Sequence, residues 1–206
     1  HRSVSRGLGD VYKRQINKYH RCLGGWIMKI TLVRHGQTEQ NYQNILNGRS
    51  NDLLNDTGRR QCQKLREQLK DVHFDFCYMS PLVRTVETAF ILIGDRVETF
   101  PDKRLIERDM GELTGKSRDL YDVKKYWDYD LNSSDLGVEA IQDVFKRCED
   151  FLDYVTKKHP NEHILVVSHG APVRALYHLI KHHNLHGNLL TVSIPNCYCE
   201  TFEIKE

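Results

Sequence analysis

The stretch from His163 to Val167 is apolar without alternation and breaks off at Ser168-His169-Gly170. A run this short, bounded by turn residues, reads as a strand covered on both faces, as in a parallel sheet packed between helices. Lys29 to Val33 is a second such run, and it stops in the same way at Arg34-His35-Gly36. Parallel strands cannot be joined by tight hairpins, so helical crossovers must lie between them.

The intervening sequence supplies those crossovers. Asn55-Asp56-Thr57-Gly58 is a helix start signal, followed by Cys62, Leu65 and Leu69 at helical spacing. Phe74 to Met79 reads as a strand, and Ser80-Pro81 as the start of a helix whose apolar face runs through Leu82, Val86, Ala89, Phe90 and Ile93. Val97 to Phe100 is a short strand, and 101–115 is a loop rich in charge and glycine. Residues 120–130 carry Tyr121, Tyr126, Trp127 and Tyr129 among charges, the pattern of a partly exposed, lid-like segment. Val138 to Lys158 is the longest helix, with a stripe of Ile141, Val144, Phe145, Cys148, Phe151, Leu152 and Val155. Ala171 to His182 is the last helix, and Asn196 to Ile204 alternates like an edge strand. The expected fold is α/β: a three-layer α/β/α sandwich with a mostly parallel central sheet and its ligand site beyond the carboxyl ends of the strands.

Residues 1–27 fit none of this pattern. They have no hydrophobic periodicity, and Asp10 to Gln15, DVYKRQ, resembles the translated end of a transposon adaptor used in sequencing libraries. A non-native or disordered leader over 1–27 and one domain over 28–206 are therefore expected. The formal charge of the 206 residues is only +2, and the leader carries the basic excess. That balance argues against nucleic acid and against an acidic membrane surface as partners. No apolar run approaches the roughly 18 residues of a membrane-spanning helix. Five of the six cysteines follow Met28, an odd number that points to a reducing, cytoplasmic setting; Cys197-x-Cys199 reads as one face of a strand and not as a zinc pair.

His35 and His169 end two strands of one parallel sheet, so they converge on one edge. Glycines beside them let the backbone approach a ligand, and two imidazoles there can serve as a nucleophile and a charge partner. His178, His182, His183 and His186 form a second histidine-rich stretch, but no Glu or Cys completes a zinc motif.

Five ordered blocks carry a more specific signal: RHGQTEQN at 34–41, GRSNDLLNDTGRRQC at 48–62, SPLVRTVETA at 80–89, LIERDMGELTGK at 105–116 and VVSHGAPVRAL at 166–176. Together they resemble the histidine phosphatase family, the superfamily of cofactor-dependent phosphoglycerate mutase, the acid phosphatases and the fructose-bisphosphatase branch. The resemblance implies a phosphoglycerate mutase-like fold in which His35 is the nucleophile that becomes a phosphohistidine. It implies a phosphate pocket of Arg34, Arg84 and His169, to which Gly170 adds a backbone N–H, and a proton donor and acceptor at Glu107, with Asp109 and Glu112 as its sequence rivals. Asn41 matches a position beside the phosphate, and Gln37 and Thr38 line the same loop. Arginine suits such a pocket because its planar fork donates two hydrogen bonds and stays charged. No cofactor and no metal are implied.

Within that family the mutases are longer and carry a Trp where Gln40 stands here, so the expectation is a phosphatase acting on a small phosphorylated metabolite, as a monomer or homodimer. Phosphoglycerate mutase-type transfer and a catalytically quiet, phospho-ligand-binding member of the fold are the alternatives.

Overall fold

The computed structural model describes residues 27–205. Among these, five strands form one sheet: β1 (Ile27–Arg34), β2 (Phe76–Met79), β3 (Glu98–Pro101), β4 (His163–Ser168) and β5 (Cys199–Lys205), in the order β3-β2-β4-β1-β5. β5 runs antiparallel to β1, and every other pair is parallel. The helices are α1 (Glu39–Tyr42), α2 (Asp56–Gln68), α3 (Val83–Ile93), α4 (Val123–Tyr126), α5 (Ile141–Lys158) and α6 (Gly170–Ile180).

Strand β4 divides the core. Ile164 and Val166 join one apolar cluster with Ile141, Val144, Phe145, Phe151, Val173 and Leu176 of α5 and α6. Leu165 and Val167 join the opposite cluster with Leu65, Ala89, Leu92 and Ile93 of α2 and α3. Successive side chains of a strand point to opposite faces, so an unbroken apolar run is what a central strand between two helical layers requires. The chain is thus a three-layer α/β/α sandwich with a mostly parallel sheet.

Helix α2 begins where the sequence places it, because the Asn55 side chain accepts the Gly58 N–H at 2.8 Å. Helix α3 does not begin at Pro81. Leu82 is extended, and the Val83 N–H is satisfied from outside the helix by the Asn51 side chain at 2.8 Å. Its buried face is also rotated from the expected one. Arg84, Thr85, Thr88, Ala89, Leu92 and Ile93 point inward, while Val86 and Phe90 are 37% and 64% exposed. The aromatic segment is likewise not an exposed lid: Tyr121, Tyr126 and Trp127 are buried in the larger cluster. Cys197 lies in a turn before β5, at φ 55°, so it shares no strand face with Cys199. The expected leader falls outside the described residues except for Ile27, which pairs with Lys205 as the first residue of β1. Among the described residues, no helix is long and apolar enough to cross a membrane.

Candidate active site

β1 and β4 are neighbours with Arg34 opposite Ser168, so the residues that follow them emerge side by side. The His35 N–H donates to Ser168 O at 3.0 Å, and the His35 and His169 rings lie edge to face with centroids 5.1 Å apart. Both imidazoles are buried. His35 Nδ1 is 2.7 Å from Gly36 O, which can only accept, so Nδ1 carries the hydrogen and Nε2 the lone pair.

Arg84 enters from the first turn of α3. Its Nε points at both His35 Nε2 and His169 Nδ1, Nη2 donates to Gly48 O at 2.9 Å, and Nη1 donates to Ser50 O. The far nitrogen of His169 meets Ser80 Oγ at 2.7 Å, at the end of β2. Burial, and then the Arg84 guanidinium, hold both imidazoles well below their ordinary value, so each is neutral. His169 is therefore not the resident cation that the sequence suggests; a bound phosphate dianion would supply the opposite charge that favours its protonation.

Arg34 donates to Ile194 O at 2.6 Å, and its buried Nε has no partner among the described residues. Burial draws its guanidinium down to about 10, against the opposing pull of Glu107. Glu107 reaches the same place from the loop after β3. Its carboxylate accepts the Gly170 N–H at 3.1 Å, the Ala171 N–H at 3.2 Å and the Arg108 N–H at 2.9 Å, at the start of α6. The Gly170 N–H expected to face a phosphate is thus taken by Glu107 here. Asp109 turns to Arg49 and the Gly111 N–H, and Glu112 is exposed.

Arg34, Glu107 and Gly170 line an open cleft, and Arg108, Arg118, Tyr121, Trp127, Arg174 and Leu190 form part of its outer wall. His35, Arg84 and His169 lie buried behind that lining. Asn41 caps its own helix through Thr38 and is tied to the His35 carbonyl by Asn196, whose Nδ2 donates to both. Thr38 is buried beside Asn41 and Asn47, and the Gln37 side chain turns away to Asn55. Neither borders the cleft.

Three participants were not singled out from sequence: Ser80, Arg174 and Asn196. Arg174 had a usable signal, because it follows Gly170 by one helical turn and so shares its face. Ser80 had one too, since it follows the strand read at 74–79, and Asn196 had none. In the second histidine stretch His178 Nε2 bonds Leu189 O and His178 Nδ1 lies 3.1 Å from His183 Nδ1, while His186 pairs with exposed Asp130. Among the described residues, no group of three or more His, Cys, Asp or Glu side chains is placed to hold a metal ion.

The profile of the histidine phosphatase superfamily (branch 1) matches residues 30–206. The chain belongs to that superfamily. As a histidine phosphatase it is similar to phosphoglycerate mutase-like protein 4 of Arabidopsis thaliana, with 33% identity over 72% of this chain and 69% of the relative. It is also similar to phosphoserine phosphatase 1 of Hydrogenobacter thermophilus, with 32% identity over 73% of this chain and 75% of the relative. Its fold matches that of YhfR from Bacillus stearothermophilus, with a TM-score of 0.76 and 24% identity, covering 84% of this chain and 90% of that one.

Proposed function

We propose that this histidine phosphatase hydrolyses phosphomonoesters of small anionic metabolites through a phosphohistidine on His35, without a metal. The observation that carries the reading is the state of His35: neutral, with Nδ1–H fixed on Gly36 O and the Nε2 lone pair turned toward Arg84. Once the phosphoryl oxygens take over the Arg84 N–H, the freed Nε2 attacks phosphorus in line, the ester P–O bond breaks, and Glu107, which takes up a proton from solvent as the substrate binds, gives it to the departing alkoxide. Glu107 then takes a proton from water, the hydroxide attacks the phosphohistidine, the P–N bond breaks, and inorganic phosphate leaves with His35 neutral again. Arg34 and Arg84 stabilise the charge on the equatorial oxygens, and His169 joins them once the charge of the bound dianion lets it take up a proton from solvent.

Two features support hydrolysis of a small anionic ester. The cleft is open, which admits water, whereas returning a phosphate to its own product requires a closed pocket. Beyond Arg34, the wall offers the guanidinium of Arg174, stacked 4.6 Å from the Trp127 ring, and that of Arg118. A leaving group bearing a carboxylate suits those cations, and phosphoserine is the first natural candidate because a relative is named for it.

The test is hydrolysis of an aryl phosphate and of phosphoserine in the presence of chelator, comparing the protein with His35→Ala. Turnover that survives chelator, is inhibited by vanadate and disappears in the variant is expected, together with an acid-labile phosphoryl label on the wild-type chain alone. Activity retained by His35→Ala, or abolished by chelator, overturns the reading. An unlabelled, inactive wild type turns it toward the phospho-ligand-binding alternative.

A further inference from the structure

Two thiols flank the nucleophile turn from elements distant in sequence. Cys62 on α2 is buried and Cys197, in the turn before β5, is partly exposed; their Sγ atoms lie 3.6 Å apart. A disulfide spans about 2.05 Å, so the two sulfurs must approach by roughly 1.5 Å.

Both thiols are tied to the backbone of the site. The Cys197 N–H lies between Arg34 O at 3.1 Å and His35 O at 3.2 Å. The Cys62 thiol donates to Thr88 Oγ1 at 3.7 Å; the same hydroxyl accepts the Gly36 N–H at 3.2 Å and donates to Arg84 O at 2.7 Å. Gly36 has no room to yield, since a β-carbon there would sit 2.8 Å from Cys62 Sγ and 2.7 Å from Gly58 O. Movement of either sulfur therefore displaces the turn that carries His35 or the residue that anchors Arg84.

We propose that Cys62 and Cys197 form an intramolecular disulfide by exchange with a low-molecular-weight disulfide such as oxidised glutathione, and that this bond shuts off the phosphatase site. Cys197 reacts first because it is the accessible partner: its thiolate attacks one sulfur of the small disulfide, that S–S bond breaks, and one thiol leaves. Cys62 then attacks Cys197 Sγ, displacing the second small thiol. Two protein thiols are oxidised and one small disulfide is reduced to two thiols. In the reduced pair the hydrogen bond between the sulfurs pushes the Cys197 thiol up, so the first step is slow; the second is favoured because Cys62 already sits beside Cys197 Sγ.

The full chain is incubated with oxidised glutathione, alkylated and mapped by peptide mass, with activity followed in parallel. A 62–197 link is expected, with a loss of kcat/KM of about tenfold or more, given how steeply rate falls with misplacement of a nucleophile, and full recovery in reductant. Cys62→Ser and Cys197→Ser keep the reduced activity and resist oxidation. Cys62→Ser traps one glutathione on Cys197, whereas Cys197→Ser takes none at Cys62, and Cys199→Ser behaves as wild type. A map without the 62–197 link, or a linked protein with unchanged turnover, overturns the proposal. The shut-off rests on the phosphatase reading, which is tested separately by turnover of the reduced protein; the link itself is read by mass alone.

Discussion

Arg84 Nε directs one hydrogen at two imidazoles, 3.3 Å from His35 Nε2 and 3.2 Å from His169 Nδ1. Both facing nitrogens must therefore carry lone pairs, and both far nitrogens must carry hydrogens, toward Gly36 O and Ser80 Oγ. A single guanidinium thus orients His35, the proposed nucleophile, and His169 while its two Nη groups are spent on Gly48 O and Ser50 O.

Arg84→Lys keeps the positive charge and loses the fork. An ammonium cannot face both rings and both carbonyls, so kcat/KM is expected to fall by about 10²–10³, the loss seen when one donor to a developing oxyanion is removed. Steady-state kinetics on an aryl phosphate check this; a lysine variant as active as wild type would show that charge alone suffices.

The two neutral imidazoles also make stability depend on pH. In the unfolded chain each returns to about 6.5, whereas burial, followed by Arg84, holds each well below that in the fold. Below pH 6.5 the unfolded state binds protons that the folded state does not, so stability is complete above about pH 7 and declines as pH falls through and below 6.5. His159, His163 and His178 shift in the same direction. The pair's share is therefore read by difference: urea midpoints of wild type and of His35→Asn/His169→Asn, taken from pH 8 to pH 5, should converge toward acid. Parallel curves would falsify the assignment.

The sheet and its two histidines were legible because their signals are local. An unbroken apolar strand, a sharp stop and a His-Gly pair each occupy a few residues, and parallel pairing then forces His35 and His169 together. The phase of α3 was not legible, since the hydropathy pattern follows Val86 and Phe90 while the site requires Arg84 and Thr88 to face inward. The burial of the aromatic segment is hidden from the sequence for a related reason. Tyr121 and Tyr126 are buried against Arg108, whose Nη1 donates to the Tyr121 hydroxyl at 3.2 Å and the Tyr126 carbonyl at 2.6 Å, and an arginine among aromatics looks like surface in a sequence. Likewise, only the fold shows that Gln37 serves the cap of α2 and that Glu107 occupies the Gly170 N–H.

Gly58 is the tightest of these local arrangements. A β-carbon there would lie 2.1 Å from Gln37 O and 2.7 Å from Gln37 N, backbone atoms one residue past Gly36. Gly58→Ala must push α2 away from the nucleophile loop, a strain of about 1–3 kcal/mol that outweighs the helix propensity alanine gains. Urea unfolding should show the loss, and an unchanged midpoint would mean that the loop gives way freely.

Arg49 joins the two halves of the site. Its neighbours Gly48 and Ser50 hold Arg84, while its own guanidinium donates to Glu107 O at 3.2 Å, Asp109 Oδ2 at 3.3 Å and Glu139 Oε2 at 3.2 Å. At 38% side-chain exposure, these ion pairs contribute under about 1 kcal/mol each to stability, so Arg49→Met should unfold close to wild type. Its effect should instead follow Glu107, the proposed acid, whose carbonyl it holds. An alkoxide leaving group needs a proton and an activated phenolate does not. Glu107→Gln should therefore slow alkyl phosphate hydrolysis by about 10²–10⁴ and that of an aryl phosphate far less. Arg49→Met should show the same preference at smaller amplitude, because it loosens the Glu107 loop without removing the carboxyl. Equal slowing of alkyl and aryl substrates in Arg49→Met would instead mean that the 48–50 loop acts through Arg84 and the phosphate pocket alone.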